Sequence, residues 1–333
     1  MPRSATTKSM VAGLLVRENA WISGERISEL LGISRAAVAK HITSLRKEGY
    51  LIDAASRRGY FCRIVPDNID VQLIRKGLRT KALGRADWLC LPQAFSTNQE
   101  AILRAAEGSA HGSIVLALNQ TGGRGRKGRS WFSPPRSLAF SVILRPAMPA
   151  EKLPWLMIAA ASAVHKTLLD LTGLKAGIKW PNDVCINGKK CSGILVEAGL
   201  SAGDLEWAVV GVGLNVNAAA DDFPEGLRAE VTSIFEESGL VYERNTLSAS
   251  LINDLDYFYN LIGEGREKSL AAYWMEASGL IGHKIKIALA SGMVEGRAIG
   301  LNEDGRLTVK RPGGQVAEIE SGDILTLIDS SRP

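Results

Sequence analysis

The spacing of apolar positions changes several times along the chain, and each change marks an element. In ERISELLGISRAAVAKHITSLRKEGY (25–50), apolar residues recur at helical spacing on both sides of Gly32. Ile27, Leu30 and Leu31 fall on one face of the first segment, and Ala37, Val38, Ile42 and Leu45 on one face of the second. Ser34 stands where an N-cap belongs, and Gly49 where a helix-ending glycine belongs. Two helices joined by a short glycine-bearing turn form a helix-turn-helix pattern. LIDAASRRGYFCRI (51–64) then predicts two short strands around a basic turn, a wing.

VPDNID (65–70) marks a boundary, and VQLIRKGLRTKAL (71–83) predicts a helix. STNQEAILRAAEG (96–108) predicts a capped helix, and SIVLALN and LAFSVIL predict strands. Residues 150–173 form a nearly all-apolar helix, which must be deeply buried. IKWPND, VCINGKKCSGILVEAG and WAVVGVGLNVN predict strands with tight turns, the Asn187-Gly188 pair being a hairpin signal. Amphipathic helices follow over 245–262 and 269–277. From Gly282, about five short strands separated by SG, EDG, PGG and SGD fit a small closed β-barrel. The pattern is that of an α/β multidomain chain with units at 1–65, 66–280 and 281–333.

Composition narrows the class. Of 333 residues, 46% are hydrophobic, enough for substantial cores. No run reaches the roughly 18 apolar residues of a membrane-spanning helix. MPRSATTKSM lacks the apolar segment of a secretory signal, so a cytoplasmic protein without a membrane partner is expected. The four cysteines (62, 90, 185, 191) and four histidines (41, 111, 165, 283) form no ligand spacing, so no metal site built from protein residues is expected. The net charge of +5 is uneven: residues 1–65 hold 11 Lys and Arg against 5 Asp and Glu, and the remainder is nearly balanced. With the helix-turn-helix pattern, that surplus points to DNA. The second helix would present Ser34, Arg35, Ala36, Lys40 and His41 to the major groove, and Arg57 and Arg58 at the wing tip would meet phosphate.

QTGGRGRKGRSW (120–131) raises different chemistry. It sets Arg124, Arg126, Lys127 and Arg129 among glycines, between two strands. Cations this close repel unless an anion compensates, and glycine lets backbone N–H groups approach that anion. A phosphate-binding loop is the expectation; an exposed basic turn is the alternative. The stretch from Gly123 to Ser130 nearly matches a Walker A motif, but Pro134-Pro135 and a strand follow where a helix must start. GVGLN (211–215) lacks the third glycine of a dinucleotide fingerprint. Taken singly, Trp180 and Trp131 read as core, Lys190 as a solvated hairpin lysine and Asp183 as a turn cap.

Together, STN, QTGGRGRKGRSWFSP, KWPND, KKCSGILVE and GVGLNVN, in that order, closely resemble the biotin–protein ligase family. With the N-terminal helix-turn-helix and the C-terminal strands, the chain is similar over about residues 20–328 to the bifunctional bacterial biotin ligases that also repress biotin synthesis genes. The resemblance implies a winged helix-turn-helix, a central α+β ligase domain of class-II-synthetase type and an SH3-like barrel. It implies ATP and biotin as substrates, Mg2+ with the ATP, and a biotinyl-5′-adenylate intermediate. It implies transfer of biotin to a lysine of a biotin carboxyl carrier protein such as that of acetyl-CoA carboxylase. It also implies an operator-bound homodimer with the adenylate as corepressor.

Carried over by position, Ser96, Thr97, Asn98 and Gln120 belong to the biotin pocket. Arg124, Gly125 and Arg126 wrap the biotin carboxylate and the linking phosphate. Lys190 reaches those oxygens as a point charge. Gly123, Trp131, Lys179, Asn182 and Asn215 stand on the adenylate side, with Trp131 against adenine. Arg126, Lys190 and Asp183 are the catalytic candidates, Asp183 to orient the acceptor amine. Two rival classes remain: a ligand-responsive transcription factor with a degenerate ligase domain, which need not keep Arg126, Lys190 and Asp183, and a lipoyl or octanoyl transferase, which leaves the DNA-binding head unexplained.

Overall fold

A computed structural model describes residues 6–18, 20–64, 69–201 and 204–327. Residues 65–68 of the expected boundary lie outside the described residues.

The N-terminal unit has helices α1 (Thr7–Glu18), α2 (Gly24–Leu31) and α3 (Arg35–Lys47), then a hairpin of β1 (Leu51–Ala55) and β2 (Gly59–Ile64). The α2–α3 turn forms for the reasons the sequence offered. Gly32 takes a left-handed φ of 63°, and the Ser34 hydroxyl accepts a hydrogen bond from the Ala37 N–H at 3.1 Å. Val11, Leu15, Ile27, Val38, Ile42 and Leu45 make a second core, against which Val241 of the central unit also packs. One helix is unanticipated and one local expectation is corrected. Helix α1 carries no strong polar/apolar signal, and the sequence reading passed over it. Leu30, assigned to the apolar face of α2, is 45% exposed, because Ile27 alone of that trio is fully buried.

The central unit runs α4 (Val71–Gly77), β3 (Trp88–Ala94), α5 (Thr97–Ala106), β4 (Ile114–Gln120), β5 (Gly123–Arg124), β6 (Ser130–Trp131), β7 (Leu138–Leu144) and α6 (Pro154–Thr172). It continues through β8 (Ala176–Lys179), β9 (Asp183–Ile186), β10 (Lys189–Ser201), β11 (Asp204–Leu214), α7 (Ile234–Ser238), α8 (Arg244–Gly263) and α9 (Glu267–Ser278). Helix α4 stops at Gly77 rather than continuing to Leu83; Asn253 of α8 takes the Gly77 carbonyl and the Arg79 N–H instead.

Seven strands form one sheet in the order β3-β4-β7-β11-β10-β9-β8, with β3 and β4 parallel and the other pairs antiparallel. The apolar helix α6 begins with Pro154, ends on Gly173 at φ 70° and buries Trp155, Leu156, Val164 and Leu168 against one face. Helix α5 covers the other face through Ala101 and Ala105, which meet Val115, Ile143 and Val209. The Asn187-Gly188 turn has φ of 49° and 80°, the left-handed pair that a two-residue hairpin requires.

The C-terminal unit is a five-stranded antiparallel sheet of β12 (Lys284–Leu289), β13 (Gly292–Leu301), β14 (Leu307–Lys310), β15 (Val316–Ile319) and β16 (Asp323–Leu327), ordered β15-β14-β13-β12-β16. Its buried Ile285, Ile287, Leu307 and Val309 join the same continuous core as α6 and α8. That packing brings β16 beside the basic loop, where Asp323 pairs with Lys127 and Arg129.

Candidate functional site

On the N-terminal unit, Ser34, Arg35, Ala36 and Lys40 are exposed and His41 is half-buried, because Val38, Ile42 and Leu45 face the core from the opposite side of α3. Arg57 stands exposed at the hairpin tip with φ 65°. Arg58 is exposed too, but its guanidinium lies 4.6 Å from the centroid of the Trp21 ring. The expected DNA-facing residues are therefore accessible, His41 in part.

In the central unit, a cavity of about 300 Å³ opens between the β10–β11 floor, the basic loop and β16. Its inner wall is the start of α5. The Ser96 hydroxyl caps that helix, and Ser96, Thr97 and Asn98 are each less than 5% exposed. The Thr97 N–H donates to Gln120 Oε1 at 2.9 Å. Oδ1 of Asn98 accepts from the buried Ser141 hydroxyl at 2.6 Å, and its amide donates to Glu197 at 3.0 Å.

Strands β5 and β6 form a short hairpin that carries the basic loop, with Gly123 paired to Trp131. The Gly125 N–H donates to the Arg129 carbonyl at 2.7 Å, and Lys127 and Gly128 take left-handed φ of 56° and 73°. The four cations are partitioned by their partners. Arg124 lies 3.5 Å from Glu197, and Lys127 and Arg129 lie 3.2 and 3.1 Å from Asp323. Arg126 instead donates to the neutral Oδ1 of Asn182 at 3.3 Å. Burial lowers the Arg126 guanidinium pKa from its ordinary value, against an opposing pull from nearby Asp323. An arginine guanidinium does not give up its proton in a protein, so a partly desolvated cation faces the cavity.

KWPND forms the far wall. Trp180 is 6% exposed and serves as core. The Asn182 amide donates to the Ile194 carbonyl at 2.9 Å, which fixes its oxygen toward Arg126. Lys190 Nζ lies 2.7 Å from Asp183 Oδ1 and 5.3 Å from the centroid of the Trp131 ring. Trp131 lies across the cross-strand pair Gly193 and Gly213: a Cβ on Gly213 would come within 2.5 Å of the indole and one on Gly193 within 2.9 Å. A Cβ on Gly211 would come within 1.8 Å of Asn98 Oδ1. The GVG stretch, without a dinucleotide fingerprint, is thus a side-chain-free floor.

Twelve of the fourteen expected ligand residues line this cavity: Ser96, Thr97, Asn98, Gln120, Arg124, Gly125, Arg126, Trp131, Lys179, Asn182, Asp183 and Lys190. Gly123 and Asn215 do not. Gly123 lines a shallower neighbouring depression, and Asn215 is 2% exposed with its amide donating to the Thr232 carbonyl. Sequence reasoning missed Asp323 and Ile324, which β16 adds to the lining. Their segment, SGD, reads only as turn punctuation; pairing with two loop cations depends on a fold-level contact.

Three family models match the chain: a helix-turn-helix domain over residues 8–61, the biotin/lipoate A/B protein ligase family over 94–215, and a biotin protein ligase C-terminal domain over 280–326. The bifunctional ligase/repressor BirA of Bacillus subtilis is 34% identical, covering 97% of this chain and 99% of its own. The Escherichia coli protein of the same name is 31% identical over 87% and 88%. Among solved structures, the biotin protein ligase from Aquifex aeolicus in complex with biotin and ATP is similar at a TM-score of 0.61 and 28% identity, over 72% of this chain and 97% of that one.

Proposed function

The chain belongs to the biotin protein ligase family, in its bifunctional ligase/repressor branch, and on that premise we propose how its residues divide the work. The protein is an ATP-dependent biotin–protein ligase and a DNA-binding repressor. In the first reaction, a biotin carboxylate oxygen attacks the α-phosphorus of ATP and pyrophosphate leaves. In the second, the amine of a carrier lysine attacks the acyl carbon, the acyl–phosphate bond breaks, AMP leaves and the amine gives up a proton.

The first reaction must bring two anions together. Arg126 carries this reading: it is a half-buried cation held by a neutral amide, so its charge is available to the reacting oxygens. Arg124 would flank the same oxygens, and the Gly125 N–H would join it on leaving the Arg129 carbonyl. Lys190 would leave Asp183 for the biotin carboxyl or the phosphate, which frees Asp183 to orient the acceptor amine in the second reaction. Ser96, Thr97, Asn98 and Gln120 supply donors and acceptors for the ureido head. Trp131, Lys179 and Asn182 stand on the nucleotide side, with Trp131 against adenine; Gly123 and Asn215 support the loop and floor from outside the cavity.

Among the described residues no three His, Cys, Asp or Glu groups converge as a metal cage. Mg2+ would be carried on the ATP phosphates, where it would shield the leaving pyrophosphate. The acceptor is a biotin carboxyl carrier protein of acetyl-CoA carboxylase. Among the described residues no helix is long and apolar enough to cross a membrane.

For the repressor role, the N-terminal unit is a winged helix-turn-helix that puts α3 in the major groove and the β1–β2 tip on phosphate. A homodimer formed with bound biotinyl-5′-adenylate sets two such units at operator spacing. The units are 1–65, 66–280 and an SH3-like barrel over 281–333. The test is incubation of the full chain with biotin, Mg-ATP and carrier protein, read by streptavidin blot, beside operator binding with and without biotin and ATP. Absence of carrier biotinylation would overturn the ligase reading; ligand-independent operator affinity would overturn the corepressor coupling.

A further inference from the structure

Behind the cavity wall stands a carboxylate that the roles above leave unused. Glu197 lies in β10, beyond Gly193 and paired across the ladder with Val209. Its Oε2 accepts from the Asn98 amide at 3.0 Å, and its Oε1 lies 3.5 Å from the Arg124 guanidinium. One side chain thus touches both ends of the ligand site: the polar wall and the first arginine of the basic loop.

The two contacts act differently. A carboxylate only accepts hydrogen bonds. Asn98 must therefore turn its NH2 toward Glu197 and the Leu195 carbonyl, and its oxygen toward the Ser141 hydroxyl. This fixes which polarity the amide has inside a nearly solvent-free wall, where a reversed amide would leave two mismatched groups. The second contact is ionic. The Arg124 side chain is about half exposed at 49%, too open for a tightly held pair, while that of Glu197 is 24% exposed. Such a pair contributes little to stability but biases where a long side chain rests.

We propose that Glu197 is a positioning residue for adenylate formation: it sets the orientation of the Asn98 amide and stations Arg124 at the cavity rim. This rests on the ligase reading above. It differs from the role of Asp323, which holds Lys127 and Arg129 and touches no residue of the polar wall among the described contacts.

The test is biotin-dependent pyrophosphate exchange by the full chain with Mg-ATP. Glu197→Gln keeps an acceptor for Asn98 and loses the charge facing Arg124; Glu197→Ala loses both. The expected result for Glu197→Gln is a fall in kcat of about tenfold with the biotin KM within about twofold. For Glu197→Ala the biotin KM rises as well, by about tenfold. The Glu197→Gln/Arg124→Ala double variant is expected to be no slower than Arg124→Ala alone, a non-additivity that a merely structural role would not produce. Rates like those of the unsubstituted chain, equal effects of Gln and Ala, or additive losses in the double variant would overturn the proposal. If Glu197→Ala fails to fold, the Gln and double variants still decide it. No exchange by the unsubstituted chain would overturn the ligase reading and this inference with it; normal exchange there with an unaltered Glu197→Gln overturns this inference alone.

Discussion

Nη1 of Arg126 lies 3.3 Å from the neutral Oδ1 of Asn182, while the other three cations of the same loop face carboxylates. The loop's charge is therefore not spread evenly. Asp323 engages Lys127 and Arg129 as struts, and Glu197 stations Arg124 at the cavity rim. Arg126 keeps its charge for whatever enters the cavity.

Lys190 and Asp183 give a prediction that separates the two reactions. Lys190→Ala removes a point charge from the adenylation step and is expected to slow pyrophosphate exchange by about a hundredfold. Asp183→Asn keeps the shape and is expected to leave adenylate formation within a few-fold, while transfer to carrier slows by about tenfold or more. Single-turnover assays of each step check this; a larger loss at adenylation than at transfer in Asp183→Asn would contradict the assigned role.

The glycine floor predicts ligand-specific defects. Gly213→Ala pushes against the Trp131 indole, so the ATP KM is expected to rise with the biotin KM nearly unchanged. Gly211→Ala collides with Asn98 Oδ1, so the biotin KM should rise instead. Overpacking of this kind costs about 1–3 kcal/mol in a packed site, which a melting curve would register. Identical kinetic effects of the two substitutions would contradict the division of the floor.

Asp323 predicts an acid-sensitive latch between β16 and the loop. Partial burial raises its carboxyl pKa, but hydrogen bonds from Lys127 and Arg129 outweigh that and leave it below the ordinary value. A depressed folded-state pKa stabilises the native state above the unfolded value and loses that contribution as pH falls through the folded one. Asp323→Asn should thus lower the melting temperature slightly near neutral pH, with the difference from the unsubstituted chain vanishing in acid. Because the carboxylate side chain is 44% exposed, added salt should shrink the difference too. A difference that grows in acid would contradict this.

The hairpin tip predicts unequal arginines. Arg57 is exposed at the tip, so Arg57→Ala should weaken operator binding and reduce the salt slope of log K by about one unit. Arg58→Ala also removes a ring contact with Trp21, so it should lower the stability of the N-terminal unit as well. Binding isotherms at several salt concentrations check both. No change in slope for Arg57→Ala would place that residue off the phosphate backbone.

Much of this was legible in the sequence where local chemistry decides. Ser34 and Ser96 cap helices as serines before periodic segments should, and Asn187-Gly188 makes its hairpin because both positions need left-handed φ. The loop, KWPND and the lysine strand could be gathered into one site because their order resembles a family; periodicity alone left each with an ordinary structural role. What stayed hidden depends on contacts across the fold. Asn215 looked like a ligand group but sits beneath the floor, holding the Thr232 carbonyl. Asp323 and Glu197 looked like ordinary turn and strand carboxylates, and only packing brings them to Arg129 and Arg124. Helix α1 was missed because its apolar residues, Val11, Ala12 and Leu15, sit in a segment of weak amphipathicity.

The central claim is that Arg126 holds the biotin carboxylate and the nucleotide phosphate together. The most direct measurement is the amount of biotinyl-5′-adenylate retained per chain, by mass spectrometry after gel filtration from biotin and Mg-ATP, for the unsubstituted protein, Arg126→Ala and Arg129→Ala. The expected result is near-stoichiometric retention by the first, at least about a hundredfold faster loss from Arg126→Ala, and a much smaller effect of Arg129→Ala, whose charge is already engaged by Asp323. Equal retention by Arg126→Ala and the unsubstituted protein would contradict the account.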